Sequence, residues 1–412
     1  MQRAANRKPD YQWAKQVALN QLPQLLIQSR AGNKMATTGL VWHELYMWHD
    51  TAHYAGVAPF GFPVQPGEHS ENPETKRRLK NLLDASGLTA HLQPIAPRPA
   101  SDAELLRFHT PEHLAMLRSH DSDVSFDLGQ STVMGRGSDS IARLAAGGVI
   151  AAVDAVLDGQ VRNAYALVRP PGHHAVADRA MGFCLYSNAA LAGLHALEAR
   201  GLQRIAFVDW DVHHGNGTQA AFWRDPRALT VSIHQDRNYP QNSGMLDEIG
   251  EGPGAGFNIN VPLPPGSGTG AHEAVIEQVV VPALRRYRPQ LIFIPCGFDA
   301  GGEDPLGRQM LTSECYRTMT ARMMALADEL CAGRLVLSHE GGYSAHTVPF
   351  FGLAVMEQLS GVRTGVIDPF QAAMASMGQQ ELQPHQQTLI DAAAAALDRL
   401  EVAMEREHPG VR

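Results

Sequence analysis

The chain has 412 residues, of which 44% are hydrophobic and 18% are charged, a composition typical of a globular enzyme with a sizeable core. Its formal net charge of −8 argues against a broad basic surface, so we expect no nucleic-acid partner. No uninterrupted apolar run approaches the length of a membrane span and the four cysteines form no Cys-x-x-Cys pair, so we expect no membrane partner, reduced buried thiols and a cytoplasmic location.

Residues 1–34 lack the apolar core and cleavage site of a secretory signal. Their stretch 11–29 is weakly amphipathic and is interrupted by Pro23. We predict an appended or poorly ordered extension here, with Met35 as an alternative start, followed by a main domain over residues 35–376.

From residue 38 onward, apolar runs alternate with helical patterns, and no linker or repeat divides them. The runs predict strands at 164–168, 204–209, 229–234, 258–261, 291–295 and 335–338. The helical patterns predict helices at 138–157, 187–200, 272–287 and 313–331. Continuous apolar strands separated by helices favour a single α/β domain with a mostly parallel central sheet flanked by helices on both faces.

Five of these strands run into polar loops. In chain order the loops contain Arg169-Pro-Pro-Gly-His-His, Asp209-Trp-Asp-Val-His-His-Gly-Asn, His234-Gln-Asp-Arg-Asn-Tyr-Pro, Cys296-Gly-Phe-Asp-Ala and His339-Glu-Gly-Gly-Tyr. Ligands of parallel sheets bind beyond the carboxyl ends of the strands. We therefore predict one functional site at that edge of the sheet.

Three side chains in these loops are candidate metal ligands. Asp211 and His213, two residues apart on an extended turn, can bind one cation, although the same spacing occurs in solvated loops. Asp299 follows a buried apolar strand, where an unpaired carboxylate is costly, and is the natural third ligand; the alternative is a helix cap. Three ligands with an open fourth position are typical of catalytic zinc.

Proton transfer requires further groups near such a metal. The Pro-Pro-Gly turn presents His173 and His174, which are candidates to accept and donate the proton. Each histidine needs a partner for its second ring nitrogen, and the acid Asp209 and the amide Asn216 remain available for this once the metal ligands are assigned. Tyr343 follows two glycines and is a candidate donor to an oxyanion, or a tyrosine packed at the start of the next segment.

Other features are less specific. Phe183 and Tyr239 can form aromatic walls of a substrate channel, although an aromatic residue in a glycine-flanked loop is more often part of the core. The histidines of residues 43–73 are expected at a pocket rim or on the surface, and this stretch is also a candidate contact in a homo-oligomer. Residues 377–412 carry an alanine run with helical spacing and predict a C-terminal helical segment packed on the outside of the domain.

Taken together, these motifs resemble the arginase/deacetylase superfamily, and specifically class II-like histone deacetylases and bacterial histone-deacetylase-like amidohydrolases. The motifs are Arg169-Pro-Pro-Gly-His-His, Met181-Gly-Phe-Cys, Asp209-Trp-Asp-Val-His-His-Gly-Asn-Gly-Thr, Gly297-Phe-Asp-Ala and Glu340-Gly-Gly-Tyr. The resemblance implies the arginase/deacetylase fold, with about eight strands and the active site at their carboxyl edge. It also implies one Zn²⁺ per chain, bound by Asp211, His213 and Asp299.

The resemblance assigns roles to the remaining polar residues. It implies that His173 pairs with Asp209, that His174 acts as general base and then acid, and that Tyr343 stabilises the oxyanion. Asn216 stands where many class I relatives have Asp and class II-like members often have Asn.

The resemblance further implies up to two structural K⁺ ions. The first site matches Asp209, Asp211, His213, Ser232 and Ile233, and the second matches Phe222, Asp225, Ala228 and Phe257. Gly215 and Gly297 stand where the related arginases have bridging aspartates for a second metal, which implies a mononuclear catalytic site.

The substrate channel is matched by Gly182, Phe183, Tyr239 and Leu306. Polyamine-specific relatives carry Glu at the position of Leu306, so the leucine favours an acyl-lysine-like or neutral amide over an acetylpolyamine. Tyr239 replaces the Phe that is common in the channel wall, and its hydroxyl needs a partner. The resemblance thus implies a zinc-dependent amidohydrolase acting on acyl-lysine or another acylated amine. Alternatives are acetylpolyamines, thioesters or small amides as substrates, and a module that binds acyl-lysine without turnover.

Overall fold

The structure is a computed structural model that describes residues 38–58, 63–407 and 410. Its strands are β1 (Thr38–Val41), β2 (His53–Tyr54), β3 (Gly67–Glu68), β4 (Gln93–Ile95), β5 (Phe126–Gly129), β6 (Thr132–Met134), β7 (Asn163–Ala166), β8 (Ile205–Asp209), β9 (Ala228–Gln235), β10 (Asn258–Leu263), β11 (Ile292–Cys296) and β12 (Leu335–His339). Eight of them form one parallel sheet in the order β10-β9-β8-β11-β12-β7-β1-β4. The pairs β2–β3 and β5–β6 form two small antiparallel sheets.

Helices connect and cover the strands. The α-helices are Glu74–Ala85, Asp102–Leu105, Pro111–Ser119, Ser138–Leu157, Asn188–Glu198, Asn216–Phe222, Thr269–Val275, Val281–Tyr287, Ser313–Cys331, Val348–Ser360, Gln371–Ala375, Pro384–Ala394 and Ala396–Glu407. The turn Ile276–Val280 is a π-helix, and Glu44–Trp48, Leu88–His91 and Gly252–Gly254 are short 3-10 helices.

Side chains of the central strands alternate between two core layers. In β8, Ile205 and Phe207 lie in the core beneath helices Ser138–Leu157 and Asn188–Glu198, whereas Ala206 and Val208 lie in the core on the other face. This period of two follows from the pleat of a strand. The predicted α/β architecture, with helices on both faces of a parallel sheet, is confirmed.

The sequence did not predict strands β1 and β4, which form one edge of the sheet. They have four and three residues, and β4 contains a proline and is partly exposed, so neither gives a long apolar run. The predicted helix 272–287 is also modified, because it begins at Thr269 and contains the π-turn Ile276–Val280 just before Pro282. Proline lacks a backbone N–H and cannot continue a regular α-helical hydrogen-bond ladder, which accounts for the irregular turn.

The helix Ser138–Leu157 is long and apolar enough to cross a membrane by length and composition, but 78% of its apolar window is buried inside the protein. It packs against β1, β7 and helix Asn188–Glu198. Its apolar character is therefore accounted for by its place in the core.

The C-terminal helices belong to the main core. Helix Pro384–Ala394 packs on β10, helix Ala396–Glu407 packs on Val281–Tyr287, and Ile390 and Leu400 are fully buried. The residues 1–34 that we expected to form an extension lie outside the described residues. The four cysteines, Cys184, Cys296, Cys315 and Cys331, are all buried and free.

Candidate active site

The polar loops meet because their strands are neighbours in the sheet. β8, β11, β12 and β7 are adjacent and parallel, so the loops that follow them lie at one carboxyl edge. The loop after β9 joins them from the other side of β8. This arrangement brings the predicted site residues together.

A buried cluster of Asp211, His213 and Asp299 lies at the centre of this edge. One potential ligand atom from each residue lies within 4.8 Å of the others. The His213 Nδ1 atom is 3.0 Å from Asp211 Oδ1 and 3.1 Å from Asp299 Oδ2. Asp299 Oδ2 is buried and makes no hydrogen bond of regular geometry among the described residues, although His213 Nδ1 lies near it. A buried carboxylate oxygen of this kind is costly unless a cation binds it, so this set of side chains fits a divalent metal.

The charge of the cluster also favours a cation. Burial lowers the pKa of His213, but the carboxylates of Asp299 and Asp211 outweigh burial and raise the pKa to about 10. The negative potential that retains a proton on this imidazole would equally favour a bound metal ion. On binding the metal, His213 would give up that proton.

Backbone groups fix both carboxylates. The Val212 N–H donates to Asp299 Oδ1 and the Gly341 N–H donates to Asp211 Oδ2, each at 2.8 Å. A Cβ atom at Gly341 would lie 2.0 Å from Asp299 Oδ2, and one at Gly297 would lie 2.1 Å from Asp211 Oδ2. Only glycine allows the chain to pass so close to the ligands.

The two adjacent histidines lie beside Asp209 and Asn216, the two residues that were left as candidates to orient their second ring nitrogens. His173 Nδ1 lies 3.0 Å from Asp209 Oδ2, and His174 Nδ1 lies 2.8 Å from Asn216 Oδ1. The Asn216 amide nitrogen donates to the His174 carbonyl oxygen, which fixes the orientation of the amide. Because the amide oxygen can only accept, His174 Nδ1 carries a hydrogen and Nε2 is left as a proton acceptor.

The two imidazoles differ in their protonation. Burial lowers the pKa of His173, but the carboxylates of Asp211 and Asp209 raise it overall to about 10. Burial, followed by the positive charges of His173 and His213, holds the pKa of His174 well below its usual value. At neutral pH His173 is therefore the charged member of the pair and His174 the neutral one.

Glu340 has a structural role that the sequence reading did not assign. Its Oε2 atom accepts hydrogen bonds from the backbone N–H groups of Gly172 and His173, at 2.6 and 3.1 Å. The carboxylate thus ties the loop after β12 to the loop that carries the histidines. The position of Glu340 in the Glu-Gly-Gly-Tyr motif was the feature of the sequence that could have indicated this role.

A cavity of about 170 Å³ opens onto the cluster. It is lined by Val57, Ser131, His174, Gly182, Phe183, His213, Asn238, Tyr239, Leu306 and Tyr343. All four predicted channel residues therefore line it, together with one candidate metal ligand and two candidate catalytic residues. Sequence analysis missed Val57, Ser131 and Asn238, which belong to none of the motifs that resemble the family.

The aromatic walls of the cavity are held in place by specific contacts. The Tyr239 ring packs edge-on against His174, with the ring centroids 4.9 Å apart, and its hydroxyl donates to the Gln130 carbonyl oxygen at 3.4 Å. The Gln130 carbonyl oxygen is thus the hydrogen-bond partner of the Tyr239 hydroxyl, which a phenylalanine at this position would lack. Gly182 has a φ of +55°, and a Cβ there would lie 2.2 Å from His174 Cδ2, so glycine is required on both counts.

Tyr343 stands at the cavity with its backbone anchored. Its N–H donates to Asp304 Oδ2 at 2.7 Å, and the other oxygen of that carboxylate accepts from the Leu306 N–H at 2.9 Å. Asp304 therefore links the tyrosine to a channel residue, a role that the sequence did not reveal. Burial raises the pKa of the Tyr343 phenol well above its usual value, so the phenol is a hydrogen-bond donor at neutral pH.

The residues of the first expected potassium site meet at the carboxyl ends of β8 and β9, where Asp209 is opposite Ser232. The residues of the second lie around the start of β9. There the Asp225 N–H donates to the Phe222 carbonyl oxygen, and the Ala228 N–H donates to the Asp225 carbonyl oxygen. Occupancy of either site by K⁺ stays a prediction.

Two histidines expected at the rim or on the surface are instead buried. His49 and His69 are 3% and 2% exposed, whereas His53 is exposed. His69 packs against Phe183, with the ring centroids 5.1 Å apart, and so supports a cavity wall from behind.

Comparison with known proteins agrees with this geometry. A family model described as the histone deacetylase domain matches residues 69–359, which include the Asp211–His213–Asp299 cluster, both adjacent histidines and Tyr343. The chain is 51% identical over 336 residues to a histone deacetylase-like amidohydrolase of Pseudomonas aeruginosa, covering 81% of this chain and 88% of that protein. It is 39% identical over 314 residues to histone deacetylase 8 of Arabidopsis thaliana, covering 73% and 82% respectively.

Similar matches extend to archaea and to solved structures. A probable deacetylase of Archaeoglobus fulgidus is 35% identical over 333 residues, covering 79% of this chain and 86% of that protein. The crystal structure of the HDA15 HD domain superposes with a TM-score of 0.73 at 32% identity, covering 89% of this chain and 99% of that one. The fold and the family motifs therefore match over the same part of the chain.

Proposed function

The chain belongs to the histone deacetylase family, and on that premise we propose that it is a zinc-dependent amidohydrolase that removes the acyl group from acyl-lysine-type amides. One observation carries the proposal: the Asp211–His213–Asp299 cluster, His174 and Tyr343 converge at a single cavity. A cation site, a proton acceptor and a hydrogen-bond donor are the three functions that metal-assisted amide hydrolysis uses.

Asp211, His213 and Asp299 would hold the metal through two carboxylates and one imidazole. Asp299 Oδ2, which makes no regular hydrogen bond, would be one of the ligand atoms. Zinc bound there would polarise the substrate carbonyl and lower the pKa of a water molecule. Up to two structural K⁺ ions complete the proposed cofactors, one at the carboxyl ends of β8 and β9 and one around the start of β9.

The protein's own groups move the proton. His174 Nε2 accepts the proton of the attacking water and then donates it to the leaving amine. Asn216 holds the tautomer that leaves this nitrogen free, and charged His173, paired with Asp209, stands beside it. The Tyr343 hydroxyl donates a hydrogen bond to the oxyanion, a contact that is stronger in the transition state than in the substrate.

The cavity walls favour an unbranched acylated amine. Phe183 and Tyr239 flank the path to His174, and an aliphatic lysine chain can pack between such rings. Leu306 places an apolar side chain on the wall, where a polyamine would need a counter-charge. Both observations favour acyl-lysine over acetylpolyamine.

The test is a substrate panel on the purified enzyme with its zinc content measured. We expect the highest kcat/KM on an acetyl-lysine peptide, compared with N-acetylpolyamines, thioesters and small amides. We expect His174→Ala and Tyr343→Phe to lower kcat by about 10²-fold or more, the effect typical of a lost oxyanion donor or general base. Tyr316→Phe is the matched control, because Tyr316 is buried in the core and its hydroxyl has no partner among the described residues.

Unchanged turnover in the His174 and Tyr343 variants would refute the mechanism. A preference for N-acetylpolyamine would refute the substrate but not the chemistry. Tight binding of acetyl-lysine without any turnover by the zinc-loaded wild type would establish a binding module instead.

A further inference from the structure

A fully buried group of charged residues lies behind Tyr343, outside the groups that move the proton. Arg169, Glu71 and Lys76 are each 0% exposed. Lys76 Nζ lies 3.0 Å from Glu71 Oε1, and Arg169 Nε lies 2.9 and 3.0 Å from the two oxygens of the same carboxylate. Two cations share one anion, so the group carries a net positive charge in the protein interior. Such a charge is costly unless other groups stabilise it.

Arg169 has many partners. Besides the Glu71 carboxylate, its guanidinium donates to the carbonyl oxygens of His49 and Tyr46, at 2.5 and 3.3 Å. Lys76 has few by comparison. Within the described part of the chain its ammonium group makes one hydrogen bond, to Glu71, and lies 5.6 Å from the centroid of the Tyr343 ring. The face of that ring is therefore the second group that stabilises the Lys76 charge.

Three contacts from separate parts of the fold define the position of Tyr343. Asp304 holds its backbone N–H, Phe183 packs on the ring in an edge-on contact with centroids 5.7 Å apart, and Lys76 lies over the ring. The hydrogen bond to Asp304 fixes the backbone at Tyr343 but leaves rotation of the side chain free. Phe183 supplies a weak aromatic contact, whereas a desolvated cation–ring contact is stronger.

We propose that Lys76 is a positioning residue of this active site, which acts by holding the Tyr343 ring so that its hydroxyl stays directed at the reacting carbonyl. The inference rests on the proposed function, because it takes the Tyr343 hydroxyl as the donor to the oxyanion. Lys76 is not among the residues that line the cavity. Its effect appears in the step that depends on the hydroxyl, not in substrate binding.

The helix Glu74–Ala85 offers a matched control. Lys80, one turn after Lys76, lies 5.9 Å from the centroid of the Trp42 ring and pairs with Asp84 at 2.6 Å. Lys80→Met thus removes a similar cation–ring contact from the same helix, but away from the cavity. In Lys76→Met, Glu71 keeps its bonds to Arg169, and Lys76→Gln additionally retains an amide that can donate to Glu71.

Steady-state kinetics provide the first readout. We expect Lys76→Met and Lys76→Gln to lower kcat about tenfold with KM nearly unchanged, the size of effect that a desolvated cation–ring contact can supply. Lys80→Met should match the wild type. In a Tyr343→Phe background, which lacks the hydroxyl, the Lys76 substitutions should cost nothing further. An equal loss in both backgrounds, or no loss in either, would overturn the proposal.

Fluorine NMR of 3-fluorotyrosine placed at position 343 gives a readout that needs no turnover. We expect one sharp resonance in the otherwise unsubstituted protein and in Lys80→Met, and a shifted or broadened resonance in Lys76→Gln and Lys76→Met. Thermal unfolding confirms that each variant is folded, and the glutamine variant stands in if the methionine variant is not. If no acyl substrate is turned over but the resonance responds, the proposed function fails while the positioning role stands. An unchanged resonance would refute the positioning role whatever the enzyme hydrolyses.

Discussion

The substitution Asn216→Asp would place a negative charge against the proposed base without changing the size of the side chain. The Asn216 Oδ1 atom lies 2.8 Å from the Nδ1 atom of His174, which is buried, while Asn216 itself is half-buried. Opposite charges about 4 Å apart interact by ~4 kcal/mol at an effective dielectric constant of about 20. Since 1.36 kcal/mol corresponds to one pKa unit, this upper bound is ~3 units, and carboxylate neighbours usually shift a pKa by about 1–3 units.

The sign of the effect follows from the role of His174. In the wild type, burial and the charge of His173 keep the pKa of His174 well below its usual value, so the base stays neutral into the acid range. A carboxylate beside it favours the imidazolium, which cannot accept a proton. The acid limb of kcat/KM against pH should therefore move to higher pH by about 1–3 units in Asn216→Asp, with a larger loss of activity at about pH 6 than at about pH 8.

The assay is kcat/KM on an acetyl-lysine peptide from about pH 5 to about pH 9, the range in which a shifted histidine limb is visible. Asn238→Asp is the control, because it adds the same charge to the cavity wall at a residue that bonds to the Leu306 carbonyl oxygen and not to His174. An acid limb that stays in place in Asn216→Asp, or that moves to lower pH, would refute the assignment of His174 as the base.

Three further outcomes are expected. Gly341→Ala places a methyl group 2.0 Å from Asp299 Oδ2, so zinc affinity measured by chelator competition should fall by about 10–100-fold, and wild-type affinity would contradict the crowded ligand geometry. Leu306→Glu supplies a counter-charge at the cavity wall and should raise kcat/KM for N-acetylpolyamine relative to acetyl-lysine by about tenfold; an unchanged ratio would show that this wall does not select the substrate. Burial lowers the pKa of His109 to about 3 and that of His272 to about 4, below the 6.5 of the unfolded chain, so the stability that each neutral histidine contributes is fully present above about pH 6.5 and is lost as the pH falls. Each histidine should cost the protein ~2 kcal/mol of unfolding free energy by about pH 5, which urea unfolding at about pH 6.5 and about pH 5 can measure. If His109→Gln keeps the acid sensitivity of the wild type, His109 is excluded as its source.

The sequence alone predicted six of the eight strands of the central sheet and the chemical groups at their ends. Asp211 and His213 lie within one short run, and neighbouring parallel strands bring such runs to one edge by a general rule of sheet topology. The pairing of His173 with Asp209 and of His174 with Asn216 was predicted, and the structure places each pair within hydrogen-bond distance. The strands could be predicted because they depend on the order of apolar runs, whereas the pairing of the histidines was implied by the resemblance of the motifs to a known family.

The tertiary structure alone decided what surrounds those groups. Val57 and Ser131 reach the cavity from a loop and a hairpin that carry no motif, and the short strands β1 and β4 complete the sheet without a long apolar run. Lys76 is in the first turn of a helix whose sequence is typical of a charged surface helix, yet its ammonium group is buried over the ring of Tyr343, 267 residues away in the chain. Contacts of this kind depend on how distant segments pack, and hydrophobic periodicity records which face of a segment is buried but not which partner covers it. The sequence thus determined the candidate reacting groups, whereas packing between distant segments decided the shape of the cavity and the contacts that support Tyr343.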